Sequence, residues 1–416
     1  MAADCGKLWH ILVRHRRRIS THPRSRPERS DWRHVESPIC PLRASGVTST
    51  GVNVALVIFS ADPARGGAER YTGNLASALA QRGHRVDLIA ARLGPPIDGV
   101  RMLEIPSRAA TRSGEYRKFL TGLDRHLETH SYDIVHAMLP VPRCDVYHPH
   151  AGMAKSAFEA TPLNRLNRKR KLYAQVEEKL LTGPRRPTVL CLSNFVKGFI
   201  LTSYPDIAGQ LETLFNAVDL NHFDPSRHGC EARKPFNLGT DKIVGLMIAQ
   251  HFLRKGLAQA IVALAKLDER MVLWVIGNDN PAPAVKLAKR LGIADRVIFA
   301  GTTKNPADFY AAADYFVLPT PYDSCSLVVL EALAMGLPVI STARNGACEI
   351  MTDGKEGFVL QDPDDVPGLT SAMRHMQDAD RRADMKKAAL ALRPRLSYEA
   401  HLDRLEEIYR ASHRAH

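Results

Sequence analysis

Short apolar runs alternate with segments of helical pattern along most of this chain, and that alternation constrains the fold more than any other feature. The run NVALVIFSA, which begins at Asn53, is continuously apolar and contains β-branched residues, as expected for a strand buried on both faces. A glycine loop, a helical pattern that stops at Gly83 and a second run, RVDLIAA, follow it. This order of strand, loop, helix and strand predicts a parallel sheet with right-handed crossovers.

The same rhythm restarts near Lys242 and predicts a second domain, in which KIVGLMIAQ, MVLWVIGN, RVIFAG, YFVLPT and LPVIST read as strands. With 416 residues, the chain exceeds the roughly 250–300 residues that one core usually supports. We therefore predict an α/β fold of two Rossmann-like domains that face each other across a cleft. The predicted domains are 51–225 and 226–392, and a C-terminal helix in 393–416 is expected to pack back across their junction.

The chain is basic, with a formal net charge of +13, which favours anionic partners such as nucleotide phosphates, anionic lipids or glycolipids. Residues 1–50 are rich in arginine and lack apolar periodicity, so we predict a disordered basic N-terminal extension; a transit peptide is the less favoured reading. No run of about 18 apolar residues occurs, so no transmembrane helix is predicted. The seven cysteines are scattered, which is typical of a cytoplasmic protein without a disulfide framework or zinc site.

The strongest chemical signal is the segment PTPYDSCSLVVLEALAMGLPVISTARNGACEIM. The loop at Asp323 leads into an apolar helix, whose first backbone N–H groups are expected around Ser326, Leu327 and Val328. A helix N-terminus with free N–H groups is suited to binding a diphosphate. Glu331 follows on the first turns, where its carboxylate can accept hydrogen bonds from two ribose hydroxyls. A routine buried helix capped by the aspartate is the competing interpretation.

Loops at other predicted strand ends carry further candidate donor-binding residues. Arg254 and Lys255 lie between a strand and a helix, where two cations can neutralise a departing nucleotide diphosphate; a solvated basic loop is the alternative. Gly67 follows the first strand and Gly277 ends a later one, and glycine lets the backbone approach a phosphate closely. The first loop lacks the G-x-G-x-x-G spacing and the second strand does not end in an acidic residue, so an NAD cofactor is disfavoured.

His150 is the candidate for a catalytic group on the acceptor side. The segment DVYHPHAGM places His148 and His150 at a predicted strand end. A neutral imidazole there can hydrogen-bond a sugar hydroxyl or hold the acceptor. A structural histidine on a loop is the alternative, and His136 is a weaker candidate for the same role.

The segment RLNRKRKLY gives one edge of a predicted helix five cations beside apolar side chains. A basic amphipathic helix can lie on an anionic membrane surface, and a solvated charged face is the alternative. No nucleic-acid-binding motif is present and the aromatic content is only 6%, so no nucleic-acid partner is predicted. The five cations are Arg165, Arg168, Lys169, Arg170 and Lys171.

Together these motifs resemble the retaining GT-B glycosyltransferases, the large group that comprises glycosyltransferase family 4 and glycosyl transferases group 1 and includes lipopolysaccharide core glucosyltransferases. The resemblance covers roughly residues 52–390 and is more specific in the second domain. It rests on Asp323 and Glu331, an acidic pair separated by seven residues, and on a basic residue followed by Lys255-Gly256.

The resemblance implies residue roles and a mechanism. In this family the first acid, here Asp323, contacts the sugar hydroxyls, and the second, Glu331, contacts the ribose. Transfer retains the anomeric configuration and needs neither a metal nor a cofactor, since the nucleotide sugar is a co-substrate. The chain departs from the usual pattern because Asp323 stands where glutamate is common and Ser326 stands where glycine is common.

We therefore expect a hexosyltransferase that moves a hexose, glucose from UDP-glucose by preference, to a hydroxyl of a lipopolysaccharide core or another envelope glycan or glycolipid. The expected location is the cytoplasm, with peripheral attachment to the inner face of the membrane. The alternatives are a mannosyltransferase or 2-epimerase of the same fold, and a non-catalytic protein that binds nucleotide sugars.

Overall fold

The computed structural model describes residues 51–65, 67–150, 152–159 and 166–414. The predicted extension 1–50 and the candidate membrane-binding residue Arg165 lie outside the described residues. Within the described ranges the backbone forms two parallel sheets flanked by helices. This architecture confirms the predicted α/β fold of two Rossmann-like domains.

The strands of the first sheet are β1 (Asn53–Ile58), β2 (Arg85–Ala90), β3 (Val100–Glu104), β4 (Ile134–Ala137), β5 (Val146–Tyr147), β6 (Thr188–Cys191) and β7 (Leu211–Thr213). They are parallel and lie in the order β3-β2-β1-β4-β5-β6-β7. β1 pairs with β2 on one side and with β4 on the other, so the strand order reverses there. Such a reversal opens a crevice at the carboxyl ends of the strands, which is where ligands bind in open α/β sheets.

The helices of the first domain are α1 (Gly67–Gln81), α2 (Arg112–Thr129), α3 (Ala154–Glu159), α4 (Arg168–Thr182) and α5 (Asn194–Ser203). They cover both faces of the sheet, and the side chains of β1 accordingly belong to two apolar clusters. Leu56 belongs to the cluster that includes Leu75 of α1, and Val57 to the cluster that includes Phe119 of α2. A strand buried in this way on both faces is continuously apolar, as the sequence of β1 predicts.

The strands of the second sheet are β8 (Ile243–Ile248), β9 (Met271–Ile276), β10 (Val297–Gly301), β11 (Tyr315–Val317), β12 (Val339–Thr342) and β13 (Gly357–Leu360). They are parallel in the order β10-β9-β8-β11-β12-β13, with the reversal between β8 and β11. The remaining helices are α6 (Leu257–Leu264), α7 (Ala282–Arg290), α8 (Pro306–Ala312), α9 (Leu327–Ala334), α10 (Val366–His375), α11 (Ala379–Ala391), α12 (Arg393–Leu396) and α13 (Tyr398–Arg414).

The C-terminal helix α13 packs on the first domain. His401 Nε2 lies 2.9 Å from the hydroxyl of Tyr71 on α1, and Tyr409 OH lies 2.7 Å from His136 Nδ1 at the end of β4. Both contacts are buried, so the last helix joins the core of the domain in which the chain begins. Among the described helices, none has both the length and the apolar character that crossing a bilayer requires.

Two segments differ in extent from their sequence patterns. The helix predicted over RLNRKRKLY is α4 in the described part of the chain, and its first residue is Arg168. Asn167 caps this helix, since its side chain accepts hydrogen bonds from the N–H groups of Lys169 and Arg170 at 3.1 Å each. The run CDVYHPH contributes only the two residues of β5, because the chain turns at the following histidines and proline.

Candidate active site between the two domains

The N-terminus of α9 opens at the carboxyl edge of the second sheet, after β11. Ser326 is the N-cap residue, with an extended backbone and no side-chain hydrogen bond to the helix. Its own N–H donates to Asn345 Oδ1 at 3.2 Å, so the predicted free donor at Ser326 is engaged and only the hydroxyl can serve a ligand. Leu327 and Val328 occupy the first two helical positions, where N–H groups have no acceptor within the helix. These two amides are the free backbone donors that the N-terminus of this helix offers.

Asp323 and Lys255 form an ion pair beside this helix N-terminus. Lys255 Nζ donates to Asp323 Oδ2 at 2.5 Å, and the two side chains are only 22% and 19% exposed. The backbone of Asp323 is also fixed, because its N–H donates to Arg344 O at 3.0 Å and its carbonyl accepts from Gly346 N at 3.0 Å. The acidic loop and the cationic turn therefore form one rigid unit, which brings the predicted residues Asp323 and Lys255 into direct contact.

The cations lie on a short 3-10 turn, Leu253–Lys255, that ends at Gly256. Gly256 has a φ of +83°, and a Cβ there would lie 2.2 Å from the carbonyl oxygen of Pro319 at the end of β11. Only glycine permits both the left-handed backbone and this close approach. Arg254 has an exposed side chain, and its carbonyl accepts from Thr320 Oγ1 at 3.4 Å. The turn is thus anchored by its backbone while the Arg254 guanidinium remains available to a ligand.

Glu331 lies one turn further along α9. Its Oε2 accepts a hydrogen bond from the hydroxyl of Tyr310 at 2.9 Å. Burial raises the pKa of this carboxyl, whereas the Tyr310 hydrogen bond and the positive charge of Arg70 act in the opposite direction. Arg70 lies on α1 of the first domain, so its influence on Glu331 acts across the cleft. The sequence interpretation missed Arg70, although a cation one turn after a glycine loop was a signal that it could have used.

The two candidate glycines have different surroundings. Gly277 follows β9 with a φ of +154°, and a Cβ there would lie 1.9 Å from Ala249 O, so close packing of two strand ends explains the glycine. Gly67 is the first residue of α1, and no atom lies within 4 Å of a Cβ built on it. No packing contact among the described residues therefore requires glycine at 67, and the open space there leaves room for a ligand.

His150 belongs to a cluster of aromatic side chains beneath α13. Its ring centroid lies 4.2 Å from that of Tyr71 and 4.1 Å from that of His148. Burial, and to a smaller extent neighbouring His401, lower the pKa of His150 to about 3, so the imidazole is neutral. Its Nε2 is shielded from solvent and has no hydrogen-bond partner among the described residues. A neutral ring with an unused nitrogen can bind a hydroxyl that reaches it, and the predicted catalytic role of His150 stays a prediction.

His148 and His136 are fully buried. Burial lowers the pKa of His136 to about 3 and that of His148 well below the usual value. His136 Nδ1 is hydrogen-bonded to Tyr409, and neither ring nitrogen of His148 has a partner among the described residues. These two histidines lie behind His150, inside the first domain, so they are less accessible to a substrate than His150.

Contacts between the domains complete the site. Glu349 accepts hydrogen bonds from the N–H groups of Asn194 and Phe195 at 2.8 and 2.6 Å, so a carboxylate of the second domain caps α5 of the first. Ser193 Oγ donates to Ser324 O at 2.7 Å, next to the ion pair. None of these residues was a candidate on sequence grounds, because their partners are more than a hundred positions away.

The predicted membrane-binding cations divide into two sets. The side chains of Arg168, Arg170 and Lys171 are exposed on the first turn of α4. Lys169 is half-buried, and its ammonium lies 5.1 Å from the ring centroid of Tyr173. Lys169 therefore does not share the exposed face of its neighbours. Separately, no three His, Cys, Asp or Glu side chains of the described chain are arranged to hold a metal ion.

Two parallel α/β domains joined across a cleft, with a helix N-terminus beside an acid–cation pair, define a GT-B glycosyltransferase. Residues 65–222 match the family model Glycosyltransferase Family 4, and residues 230–391 match the model Glycosyl transferases group 1. The two matches together span most of the described chain. The protein belongs to this glycosyltransferase family, and the resemblance inferred from its motifs is confirmed.

Known proteins resemble this chain over most of its length. Lipopolysaccharide glucosyltransferase WaaG of Escherichia coli is 26% identical over 319 residues, which are 74% of this chain and 85% of that protein. The crystal structure of WaaG superposes with a TM-score of 0.65 at 24% identity, covering 82% of this chain and 95% of the other. HepE of Anabaena in complex with UDP-glucose gives a TM-score of 0.64 at 16% identity, covering 86% and 100%. The structural matches establish the shared fold.

Proposed function

We propose that this protein is a retaining, metal-independent hexosyltransferase that moves glucose from UDP-glucose to a hydroxyl of a lipopolysaccharide core or another envelope glycan. Similarity to a lipopolysaccharide glucosyltransferase over 74% of the chain supports glucosyl transfer and the envelope acceptor. The UDP-glucose complex of the structurally similar HepE supports the donor. The observation that carries the proposal is the Lys255–Asp323 pair beside the N-terminus of α9.

In this proposal the donor diphosphate binds at the N-terminus of α9. The amides of Leu327 and Val328 donate to the phosphate oxygens, and the positive end of the helix dipole favours the negative charge. Lys255 has three ammonium protons, so it can keep its bond to Asp323 and still donate to a phosphate. The exposed Arg254 adds a second cation that can fold onto the diphosphate when it is present.

The nucleoside end is bound by Glu331. Tyr310 holds one carboxylate oxygen of Glu331, which leaves the other oxygen for the ribose hydroxyls. Arg70 from the first domain acts on the same carboxylate, so the donor lies between both domains. Domain closure on the donor would then exclude water and bring the acceptor side to the sugar.

In the proposed reaction the acceptor hydroxyl oxygen bonds to the anomeric carbon on the face from which the diphosphate leaves. The bond between that carbon and the phosphate oxygen breaks, and the leaving phosphate oxygen takes the hydroxyl proton. Lys255, Arg254 and the helix N-terminus stabilise the charge that develops on the leaving group. Asp323 hydrogen-bonds the sugar hydroxyls, and the unused Nε2 of His150 binds a sugar or acceptor hydroxyl.

The acceptor side of the proposal includes attachment to the inner face of the membrane. Arg168, Arg170 and Lys171 are exposed on one turn of α4 and present three positive charges to solvent. Such a turn is attracted to anionic lipid by about 1 kcal/mol for each cation near the surface. Peripheral attachment there would bring a glycolipid acceptor to the cleft.

Thermal unfolding with a panel of nucleotide sugars tests the donor. UDP-glucose is expected to raise Tm, because a ligand that binds only the folded protein stabilises it by mass action. A larger rise with GDP-mannose would instead support a mannosyltransferase. No rise with any nucleotide sugar would contradict the proposal.

Product analysis separates transfer from the other reactions of this fold. Anomerically labelled UDP-glucose and envelope glycan fractions should give a product in which the α configuration is kept, together with UDP. An epimerised hexose would indicate a 2-epimerase. Donor binding without UDP release on any acceptor would indicate a non-catalytic protein.

A further inference from the structure

Four cations lie near one another at the edge of the first domain, two of them over an aromatic ring, and the proposed mechanism does not use them. They are the side chains of Arg65, Arg92, Arg112 and Lys169, which together we call the cation cluster. The ring is that of Phe59, the half-buried residue that follows β1. The Arg92 guanidinium and the Lys169 ammonium both lie 5.7 Å from its centroid.

The cluster rests on a rigid base. The ring of Tyr173 lies beneath Lys169 and stacks on Tyr116, with centroids 3.9 Å apart. Tyr116 is fully buried, and its hydroxyl donates to the carbonyl of Pro140. Lys169 is therefore held between two aromatic faces, which hold its ammonium in place and remove part of its water.

The positive charge of the cluster exceeds the negative charge within it. Glu115 is the carboxylate of this group, and it is engaged by Arg92, whose Nη2 donates to both carboxylate oxygens at 3.0 Å. Burial lowers the pKa of Lys169 most, and Arg112 lowers it as well; Glu115 acts in the opposite direction, and Arg65 and Arg92 lower it by smaller amounts.

The first turn of α4 adds to this imbalance. It contains four consecutive cations, from Arg168 to Lys171, and no acidic residue. Cations in the first turn of a helix are opposed by the positive end of its dipole. The arrangement is unfavourable in the empty protein and becomes favourable when an anion binds.

The cluster lies on the acceptor side of the cleft. Phe59 and Arg92 follow the carboxyl ends of β1 and β2, and Arg65 lies in the loop from β1 to α1. Because the strands are parallel, these loops share one edge of the sheet with the loop of Gly67. That edge faces the donor-binding domain, as the action of Arg70 on Glu331 shows.

We propose that the cation cluster binds an anionic substituent of the acceptor, a phosphate monoester or a carboxylate, while the acceptor hydroxyl points to the donor sugar. The acceptor is then a charged glycan rather than a neutral one. This inference rests on the proposed transferase function, because the cluster borders the cleft in which transfer would occur. A flat lipid surface fits less well, because Lys169 is recessed between two rings whereas its three neighbours on α4 are exposed.

Titration calorimetry with glucose 6-phosphate and with glucose tests the inference. Saturating UDP occupies the donor diphosphate site, so that the sugar phosphate reports on the cluster alone. We expect glucose 6-phosphate to bind and glucose not to bind. Lys169→Gln should weaken binding of glucose 6-phosphate at least fivefold, Lys169→Arg should keep most of it, and Lys179→Gln, in the exposed last turn of α4, should change it less than twofold. Equal binding to wild type and Lys169→Gln would overturn the inference.

Two further measurements separate the possible sources of failure. The Tm shift caused by UDP should be the same in wild type and Lys169→Gln; absence of that shift in both proteins contradicts the transferase proposal and leaves the titration result to stand alone. Sedimentation with vesicles of phosphatidylcholine and phosphatidylglycerol should be reduced by Lys171→Gln and not by Lys169→Gln. Loss of vesicle binding in Lys169→Gln with unchanged affinity for glucose 6-phosphate would assign the cluster to lipid and overturn the inference.

Discussion

Lys255 Nζ lies 2.5 Å from Asp323 Oδ2, and this ion pair joins the turn after β8 to the loop after β11. The two residues are 68 positions apart in sequence and are brought together because β8 and β11 are neighbours in the sheet. Removing one partner leaves the other charge partly shielded from water. The charges of Lys255 and Asp323 are therefore coupled to each other.

Lys255→Ala is expected to lower kcat/KM for glucosyl transfer by about 10²–10³-fold, the usual effect of losing one preorganised donor to a leaving group. Asp323→Asn should reduce transfer as well, and the double variant should lose less than the sum of the single losses, because the two groups interact. Steady-state assays of the three variants measure the coupling. Lys266→Ala, an exposed lysine after α6, is the control and should change transfer less than twofold. If the loss in the double variant equals the sum of the two single losses, Lys255 and Asp323 act independently and the predicted coupling is wrong.

Glu331→Gln should raise the stability of the protein and weaken its binding of UDP. Burial raises the pKa of Glu331, so the folded state holds its proton more tightly than the unfolded state. Glu331 therefore contributes its full stabilisation at a pH below the usual pKa of a carboxyl group. This stabilisation is lost as the pH rises through the raised pKa of the folded protein. The variant should therefore have a higher Tm than wild type at pH 8 but not at pH 4. UDP affinity should fall about tenfold, the size of one lost charge-assisted hydrogen bond. Unchanged UDP affinity would remove Glu331 from the donor site.

The buried histidines predict acid sensitivity of the contact between α13 and the first domain. The pKa values of His136 and His401 are lowered to about 3 and about 4. The pKa values of these histidines are lower in the folded protein than in the unfolded chain. Above about pH 6.5 they are neutral in both states and do not reduce the free energy of unfolding. It falls below that pH by about 1.4 kcal/mol per pH unit for each such histidine. Urea unfolding at pH 7.5, 6 and 5 measures the slope.

A variant tests whether the buried histidines cause this slope. His401→Gln should make the slope shallower by one proton, because it removes one group that is neutral only when folded. His251→Gln removes an exposed imidazole outside these buried histidines and should change the slope by less than His401→Gln does. Parallel pH profiles for wild type and His401→Gln would mean that the acid sensitivity arises elsewhere.

Gly256→Ala should destabilise the protein by about 1–3 kcal/mol, because a left-handed backbone is strained for alanine. The added Cβ would also lie 2.2 Å from Pro319 O. Gly67→Ala provides the matched comparison, since it adds the same atom where no neighbour lies within 4 Å. It should keep or raise stability by up to about 1 kcal/mol. Donor turnover by the folded Gly67→Ala protein should nevertheless decrease, and full turnover would exclude a close approach of ligand to Gly67.

His150→Ala should lower kcat by about 10²–10⁴-fold while leaving the UDP-induced Tm shift unchanged, because in the proposed reaction the imidazole binds the sugar or acceptor and not the nucleotide. His130→Ala is the control for the loss of an imidazole on the surface. A folded His150→Ala protein with full turnover would reduce His150 to a structural member of its cluster.

Local pattern was sufficient for the fold because it reflects burial at each position. The apolar run of β1 and the glycines that end helices follow from residues a few positions apart, so the two α/β domains and the start of α9 could be predicted. The prediction that Ser326 offers a free amide was wrong, since its N–H is taken by the side chain of Asn345, 19 positions away. No periodicity in the sequence encodes that distant acceptor.

The sequence by itself determined which strands and helices form, and it predicted that Asp323, Glu331 and the cationic turn bind the donor in the second domain. Only the tertiary structure paired Lys255 with Asp323, brought Arg70 to act on Glu331 and separated Lys169 from its exposed neighbours on α4. The physical reason is that charge acts through space between loops that the strand order brings together. Periodicity along the chain reports only which side of each element is buried.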